Sequence, residues 1–204
     1  AISEVDRVGQ RLKDRVGDND AWGVEWEKEA RRIETMGDAA AAEGHHYTAG
    51  AHYLRASTYY FVGERFVRPG PKKTGLYQSC LRCFRGGIKT RYPNIERVEV
   101  RYEGTTLPAW FMKAPVSGKA PTVCFFDGLD STKEFSVMFG GVELANRGIH
   151  TLAIDGPGQG EALRLQNIPS RPDYEVPAAA AYDYVASRAD VDPKRVAIMA
   201  FSMG

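Results

Sequence analysis

Residues 1–91 carry apolar side chains at helical spacing. The first stripe recurs at steps of three and four positions and consists of Ile2, Val5, Val8, Leu12 and Val16. Gly17 is expected to end this helix, and one of the polar residues 18–20 to cap the next. The second stripe, which ends near Gly37, consists of Trp22, Trp26, Ala30, Ile33 and Met36. Two amphipathic helices are therefore predicted in this part of the chain.

A longer helix, rich in aromatic residues, is predicted next. A run of small residues at 39–44 leads into residues 45–66, where tyrosines, histidines and alanines continue without a proline. Pro69 and Pro71 break this helix because proline lacks the backbone N–H that a helix interior needs. A further helical stretch over 76–88 completes an all-helical segment, residues 1–91.

The hydrophobic period shortens to two after Ile95. Residues 97–102 alternate, Glu103-Gly104 is a turn signal, and residues 107–112 are the expected antiparallel partner. An unbroken apolar run, typical of a strand buried on both faces, follows at 122–126, and further strands are predicted at 151–154 and 195–201. Helices are predicted between them at 135–147 and 176–188. This alternation predicts an α/β fold with a parallel sheet, of which residues 92–204 form the first half.

Composition narrows the class of protein. The 204 residues include 27 Lys and Arg against 26 Asp and Glu, a formal charge of +1 that gives no electrostatic case for nucleic acid or an anionic membrane. No apolar run approaches the roughly 18–20 residues that span a bilayer, and residues 1–4 show no secretory signal. We expect a cytoplasmic protein that acts on a small molecule, with a homodimer left open.

Three cysteines, Cys80, Cys83 and Cys124, are too few for a disulfide framework. Cys80 and Cys83 have CxxC spacing, but no second pair of Cys or His follows to complete a zinc site. Because positions i and i+3 lie on one helix face, we interpret them as two half-buried thiols. We expect neither a metal nor a cofactor.

The residues that indicate chemistry most directly are Ala200-Phe-Ser-Met-Gly204, which follow a buried strand. Their spacing matches the nucleophile elbow G-x-S-x-G, with Ala at the first position. Such a turn exposes the Ser202 hydroxyl above the sheet edge and needs small residues two positions before and after it. The N–H of Met203 is then the first candidate donor to an oxyanion. The sequence therefore predicts Ser202 as a nucleophile.

Two further loops follow strands at the same predicted sheet edge. In the first, Gly128 allows the backbone to turn its next N–H inward, so Leu129 is the candidate second oxyanion donor. An ordinary strand-to-helix turn is the alternative. The second loop, residues 155–161, contains three glycines. It matches neither of the nucleotide-binding patterns G-x-x-x-x-G-K-[ST] and G-x-G-x-x-G. We interpret it as a structural turn at the rim of the site.

Four segments together resemble the α/β-hydrolase superfamily: HYLRASTYY (52–60), GLDSTKE (128–134), DGPGQGE (155–161) and AFSMG (200–204). More narrowly, they are similar to its branch with an N-terminal helical cap, which includes 2,6-dihydroxypseudooxynicotine hydrolase and fungal hydrolases that shorten polyketide pigment precursors. The likeness runs along essentially the whole chain. Ala200, where Gly is usual, is a mild departure that leaves the nucleophile assignment intact.

The resemblance implies a serine hydrolase that cleaves a C–C bond beside a ketone in an aromatic or polyketide-like substrate, without a metal. It also implies a cap that covers the site, in which His52, Tyr59 and Tyr60 are candidate substrate-binding residues. Packing between helices is the other interpretation of these side chains. Carboxylesterase or acyltransferase/cyclase activity on the same scaffold, and a non-catalytic binding protein with a vestigial elbow, are the alternative functions.

The sequence contains no good candidate for the general base. All four histidines, His45, His46, His52 and His150, precede Ser202, whereas the triad order in this fold is Ser, acid, His. His150 opens a predicted strand and is interpreted as structural. Because a serine hydroxyl without a base is a poor nucleophile, we expect this sequence to be the N-terminal part of a longer polypeptide that supplies the acid and the histidine.

Overall fold

A computed structural model describes residues 2–204, which fall into two compact units that divide between Pro93 and Asn94. The sequence pattern placed this division after residue 91. The first unit is all-helical, and the second combines a five-stranded sheet with helices. The predicted fold class, an all-helical segment followed by part of an α/β sheet, is confirmed.

The helical unit consists, within residues 2–93, of α1 (Ile2–Leu12), α2 (Asn19–Ala42), α3 (His46–Glu64) and α4 (Pro71–Arg91). Helix α3 packs against both α2 and α4. Asp18 caps α2, and its Oδ1 accepts a hydrogen bond from Ala21 N at 2.8 Å. Helix α4 begins at Pro71, earlier than the predicted residue 76, because the first turn of a helix leaves the N–H that proline lacks unused.

Helix α2 continues past Gly37, so the end predicted there is wrong. The reason is packing, since a methyl group at Gly37 would lie 2.7 Å from Cε1 of Tyr53 on α3. In the same way, a methyl group at Gly87 on α4 would lie 2.5 Å from Cγ of Leu54. These glycines let the helix axes approach closely instead of ending the helices.

The α/β unit is built on the strands β1 (Ile95–Tyr102), β2 (Thr105–Met112), β3 (Ala120–Phe126), β4 (His150–Ile154) and β5 (Val191–Ala200). Their order in the sheet is β1-β2-β4-β3-β5. Strand β2 is antiparallel to β1 and β4, whereas β3 is parallel to both β4 and β5. Strand β5 begins at Val191, four positions before the predicted Arg195, because Ala120 of β3 pairs with Val191.

The helices of this unit are α5 (Lys133–Ser136), α6 (Val142–Ala145), α7 (Gly160–Arg164) and α8 (Glu175–Ala186). A π-helical turn, Val137–Gly141, joins α5 to α6, so the predicted helix 135–147 is present as one stretch with a wide turn in its middle. Buried side chains of the strands, among them Leu107, Phe111, Leu152 and Ile154, form one core with Ala181 and Val185 of α8.

The three cysteines are free thiols and are fully buried, so the prediction that Cys80 and Cys83 are half-buried is wrong. Burial raises the pKa of Cys83 and of Cys124 to about 12. Within residues 2–204, no cluster of three or more His, Cys, Asp or Glu side chains is placed to hold a metal ion. None of the helices described there has both the length and the apolar character needed to cross a bilayer.

Candidate active site

The three parallel strands of the sheet end side by side. Phe126, the last residue of β3, pairs with Ile154 of β4 and with Ala200 of β5. The loops after β3 and β4 and the elbow after β5 therefore leave the sheet at one edge. In parallel sheets, ligands bind beyond this carboxyl edge.

Ser202 has a left-handed backbone conformation, with φ +53°. This region costs a non-glycine residue about 1–3 kcal/mol, and it is the strained turn expected of a nucleophile elbow. Gly204 N donates a hydrogen bond to Phe201 O at 2.9 Å, which closes the turn. A methyl group at Gly204 would lie 2.6 Å from Phe126 O, so the turn has no room for a larger residue there.

The loop after β3 lies against the elbow. A methyl group at Gly128 would be 3.0 Å from Ser202 Cβ and 3.6 Å from Ser202 Oγ. Leu129 and Met203 line one small cavity of about 20 Å³, together with Tyr174 and residues of the loop after β4. The structure thus brings Ser202, Met203 and Leu129 to one place. Their roles as nucleophile and oxyanion donors stay predictions.

Asp127 is a buried carboxyl group that the sequence pattern did not single out. The Ser136 hydroxyl donates a hydrogen bond to its Oδ1, and its Oδ2 has no hydrogen-bond partner among the described residues. Burial, followed by the charge of Asp155, raises the pKa of Asp127 to about 7. A largely protonated carboxyl group therefore stands next to Gly128 at mildly acidic pH.

The loop after β4 uses backbone N–H groups for its own structure. Gly156 N donates to Gln159 Oε1 at 3.1 Å, and Glu161 N donates to Asp155 Oδ2 at 2.7 Å. A phosphate-binding loop would instead need such donors free for the ligand. This arrangement favours the interpretation of residues 155–161 as a structural turn.

Lys133, the first residue of α5 and directly after the loop that follows β3, is fully buried, which the sequence pattern does not indicate. Its Nζ lies 2.7 Å from Asp155 Oδ2, 2.9 Å from Glu134 Oε1 and 2.9 Å from Glu161 Oε2. A lysine in a polar loop usually reaches solvent. The feature of the sequence that could have indicated this buried cation is the pair of acidic residues, Asp155 and Glu161, at the two ends of the loop after β4. That loop lies at the same predicted edge of the sheet.

The candidate substrate-binding tyrosines lie within the helical unit. The Tyr59 hydroxyl donates to Glu4 Oε2 at 2.7 Å, and the Tyr60 hydroxyl donates to Glu34 Oε2 at 2.6 Å. Both rings are buried, with 5% and 0% of their surface exposed. Because each hydroxyl is bonded to a carboxylate of another helix, the structure favours packing between helices over substrate binding for this pair.

The histidines differ in their surroundings. His52 is partly exposed on α3, with its Nδ1 2.9 Å from Arg55 Nη2, and burial together with the Arg55 charge lowers the pKa of His52. His150 accepts a hydrogen bond from Ala114 N at 2.9 Å, and its Nε2 is 3.2 Å from Asp190 O. His150 opens β4 at the edge of the sheet opposite Ser202, which agrees with a structural role.

Comparison with curated proteins gives relatives that are hydrolases. The chain is 32% identical over 199 residues to the α/β hydrolase gkaG of Penicillium citrinum, a match that covers 92% of this chain and 47% of that protein. It is 29% identical over 215 residues to the 20-hydroxy-prefusarin hydrolase FUS2 of Gibberella moniliformis, covering 100% of this chain and 51% of that protein. The chain thus spans about half the length of these relatives. No family model matches it.

Solved structures agree on the fold. The crystal structure of 2,6-dihydroxy-pseudo-oxynicotine hydrolase superposes with a TM-score of 0.81 at 22% identity, over 98% of this chain and 54% of that one. Wild-type AbyA5 superposes with a TM-score of 0.66 at 23% identity, over 97% of this chain and 50% of that one. Both comparisons cover the helical unit and the α/β unit together.

Proposed function

The chain belongs to the α/β-hydrolase superfamily, in the branch with an N-terminal helical segment, and on this premise we propose that it carries the nucleophile of a serine hydrolase. Ser202 is the proposed nucleophile, and the N–H groups of Met203 and Leu129 are the proposed oxyanion donors. The observation that carries the proposal is the left-handed conformation of Ser202 at the carboxyl edge of the sheet. A strained serine at such an edge is costly without a function that needs it.

In the proposed reaction, Ser202 Oγ attacks a substrate carbonyl carbon while a base takes the hydroxyl proton. The negative charge that develops on the carbonyl oxygen is stabilised by the two N–H donors, an effect worth about 10²–10³ in rate for each donor in comparable sites. The base and its acidic partner are proposed to lie outside these 204 residues. Support comes from the relatives, of which the chain spans about half.

The proposed substrate has a ketone next to the bond that breaks, in an aromatic or polyketide-like molecule. After attack by Ser202, the C–C bond breaks, and its electron pair leaves with the departing carbon, which then takes a proton. Water hydrolyses the remaining acyl-serine to a carboxylic acid and regenerates Ser202. Support for such substrates comes from the names of two similar proteins, the 20-hydroxy-prefusarin hydrolase and the 2,6-dihydroxy-pseudo-oxynicotine hydrolase.

Fluorophosphonate labelling of the full-length protein tests the nucleophile. We expect one covalent adduct, located at Ser202 by peptide mapping and lost in Ser202→Ala. Ser131→Ala, in the neighbouring loop after β3, is the control that keeps the adduct. An adduct at any other residue, or none at all, contradicts the proposal.

Product analysis tests the reaction. We expect the wild-type protein to cleave a 1,3-diketone or an acyl-phenol to a carboxylic acid, with loss of this activity in Ser202→Ala. Exclusive turnover of an aryl ester would favour the carboxylesterase alternative. Transfer of the acyl group to an added alcohol or amine would favour the acyltransferase alternative.

A further inference from the structure

We propose that Lys133 is a positioning residue of this site, whose buried ammonium group joins the loop that carries Leu129 to the loop after β4. Through this link it fixes the Leu129 N–H relative to Ser202. The inference rests on the proposed function, because Leu129 matters only if an oxyanion forms beside Ser202.

The contacts of Lys133 connect two loops that are distant in sequence. Its Nζ is within 2.7–2.9 Å of oxygen atoms of Asp155 and Glu161, which bracket the loop after β4, and of its neighbour Glu134. Its backbone N–H donates to Asp155 Oδ1 at 2.8 Å. Asp155 therefore holds both the main chain and the side chain of Lys133.

The carboxylate of Asp155 is itself fixed in place. Glu161 N donates to its Oδ2 at 2.7 Å. The backbone of Gly160 is so close that a methyl group there would overlap the Asp155 carboxylate. The anchor for Lys133 is thus a buried group held by the main chain, and a small movement of either loop would break several contacts.

Lys133 offsets the negative charge of the carboxylates around it, which an apolar side chain could not do. Lys133 and Asp155 are fully buried, Glu134 is 2% exposed, and three carboxylates surround one ammonium group. Burial alone would lower the pKa of Lys133, but the charges of Asp155, Glu134 and Glu161 outweigh it and raise the pKa. Without the ammonium group the carboxylates would repel one another across the two loops.

The other end of the same loop lies against the nucleophile. Gly128 is so close to Ser202 that an added methyl group would be 3.0 Å from its Cβ. Leu129 lies between this contact and the Lys133 anchor, and it is 56% exposed, so little packing holds it in place. The position of its N–H therefore depends on the two anchored ends of the loop, and an oxyanion donor acts only within about 2.7–3.1 Å of the charge it stabilises.

The test uses Lys133→Met in the full-length protein, with Arg188→Met as the matched control. Arg188 is a largely buried cation that pairs with Glu96 at 2.7 Å and Asp190 at 2.9 Å, near the opposite edge of the sheet. Both variants lose a cation with two or more acidic partners. We measure kcat, KM, the rate of fluorophosphonate labelling at Ser202, and the melting temperature.

For Lys133→Met we expect kcat and the labelling rate to fall at least 10-fold, with less than a threefold change in KM. Both rates fall because carbonyl attack and phosphonylation use the same donors. Arg188→Met is expected to lower the melting temperature while keeping kcat and the labelling rate within about threefold of wild type. If Lys133→Met does not fold, Asp155→Asn replaces it, with an expected fall of 3- to 10-fold in both rates.

If Lys133→Met has the same rates as wild type, the inference is overturned, and Lys133 contributes to the folded core only. The same holds for Asp155→Asn where that variant replaces Lys133→Met. Equal losses in the Lys133 or Asp155 variant and in Arg188→Met would also overturn it, because the effect would then follow from lost stability. A wild-type protein that is not labelled at Ser202 would instead refute the proposed function itself, and this is known before any variant is made.

Discussion

The ionisation of Asp127 makes a quantitative prediction about stability. Asp127→Asn keeps the size of the side chain and the Oδ1 acceptor of the Ser136 hydrogen bond, and it replaces the unpartnered Oδ2 with an amide nitrogen. In the unfolded chain the carboxyl group loses its proton near pH 3.8, whereas in the folded chain its pKa is about 7. At a pH between these two pKa values, the folded state therefore binds more protons than the unfolded state.

It follows that Asp127 destabilises the folded state increasingly as the pH rises through this window. A difference of about 3 in pKa corresponds to a cost of about 1 kcal/mol at pH 4.5 and about 4 kcal/mol at pH 8. Asp127→Asn removes this cost. Relative to wild type, the variant should therefore gain about 3 kcal/mol more stability at pH 8 than at pH 4.5.

Urea unfolding of the full-length wild type and of Asp127→Asn, at pH 4.5, 6 and 8, measures this difference. Asp130→Asn, on the same loop but exposed, controls for the general effect of removing one carboxylate. If the effect of Asp127→Asn on the free energy of unfolding is the same at pH 4.5 and pH 8, within about 0.5 kcal/mol, the reasoning is refuted. The carboxylate would then be ionised in the fold at acidic pH, in spite of its burial.

Further predictions concern the elbow and the thiols. Ser202→Gly should raise the free energy of unfolding by about 1 kcal/mol in chemical denaturation, because glycine adopts φ +53° without strain, and the same variant should lose the fluorophosphonate adduct. Gly204→Ala should lower that free energy by about 1–3 kcal/mol and slow labelling, since its methyl group would meet Phe126 O at 2.6 Å; unchanged values would contradict the tight turn. Cys83 and Cys124, whose pKa values burial raises to about 12, should resist a thiol reagent at pH 8 until urea is added, and rapid reaction in the native state would disprove their burial.

The strands were predictable because the sheet imposes its own pattern on the sequence. The change of period after Ile95 and the apolar run at 122–126 gave strands at the observed places. Helix ends were less predictable, and Gly37 illustrates the reason. Whether a glycine ends a helix or allows close packing depends on its neighbour, here Tyr53 of α3, and that contact is not visible along the chain.

In the candidate site, too, local features were predictable from the sequence and long-range contacts were not. The turn at Ser202 follows from local spacing, because a strand followed by a small-x-Ser-x-Gly pattern allows few backbone paths. Its approach to Gly128 depends on the parallel pairing of β3 with β5. The environment of Lys133 depends on Asp155 and Glu161, which lie more than 20 positions away and are brought to it by the parallel pairing of β3 and β4. Buried charge clusters of this kind arise from topology, and residue type alone does not reveal them.

The close fit of Gly128 and Gly204 around Ser202 has a consequence for how related sequences diverge. The strained turn is held only while both glycines leave room for the neighbouring main chain. Selection for the reaction therefore preserves both glycines, and in a lineage that no longer needs the reaction a larger residue at either glycine would disrupt the turn even while the serine persists. In diverged relatives, an intact glycine pair is therefore a better marker of a working nucleophile than the serine itself.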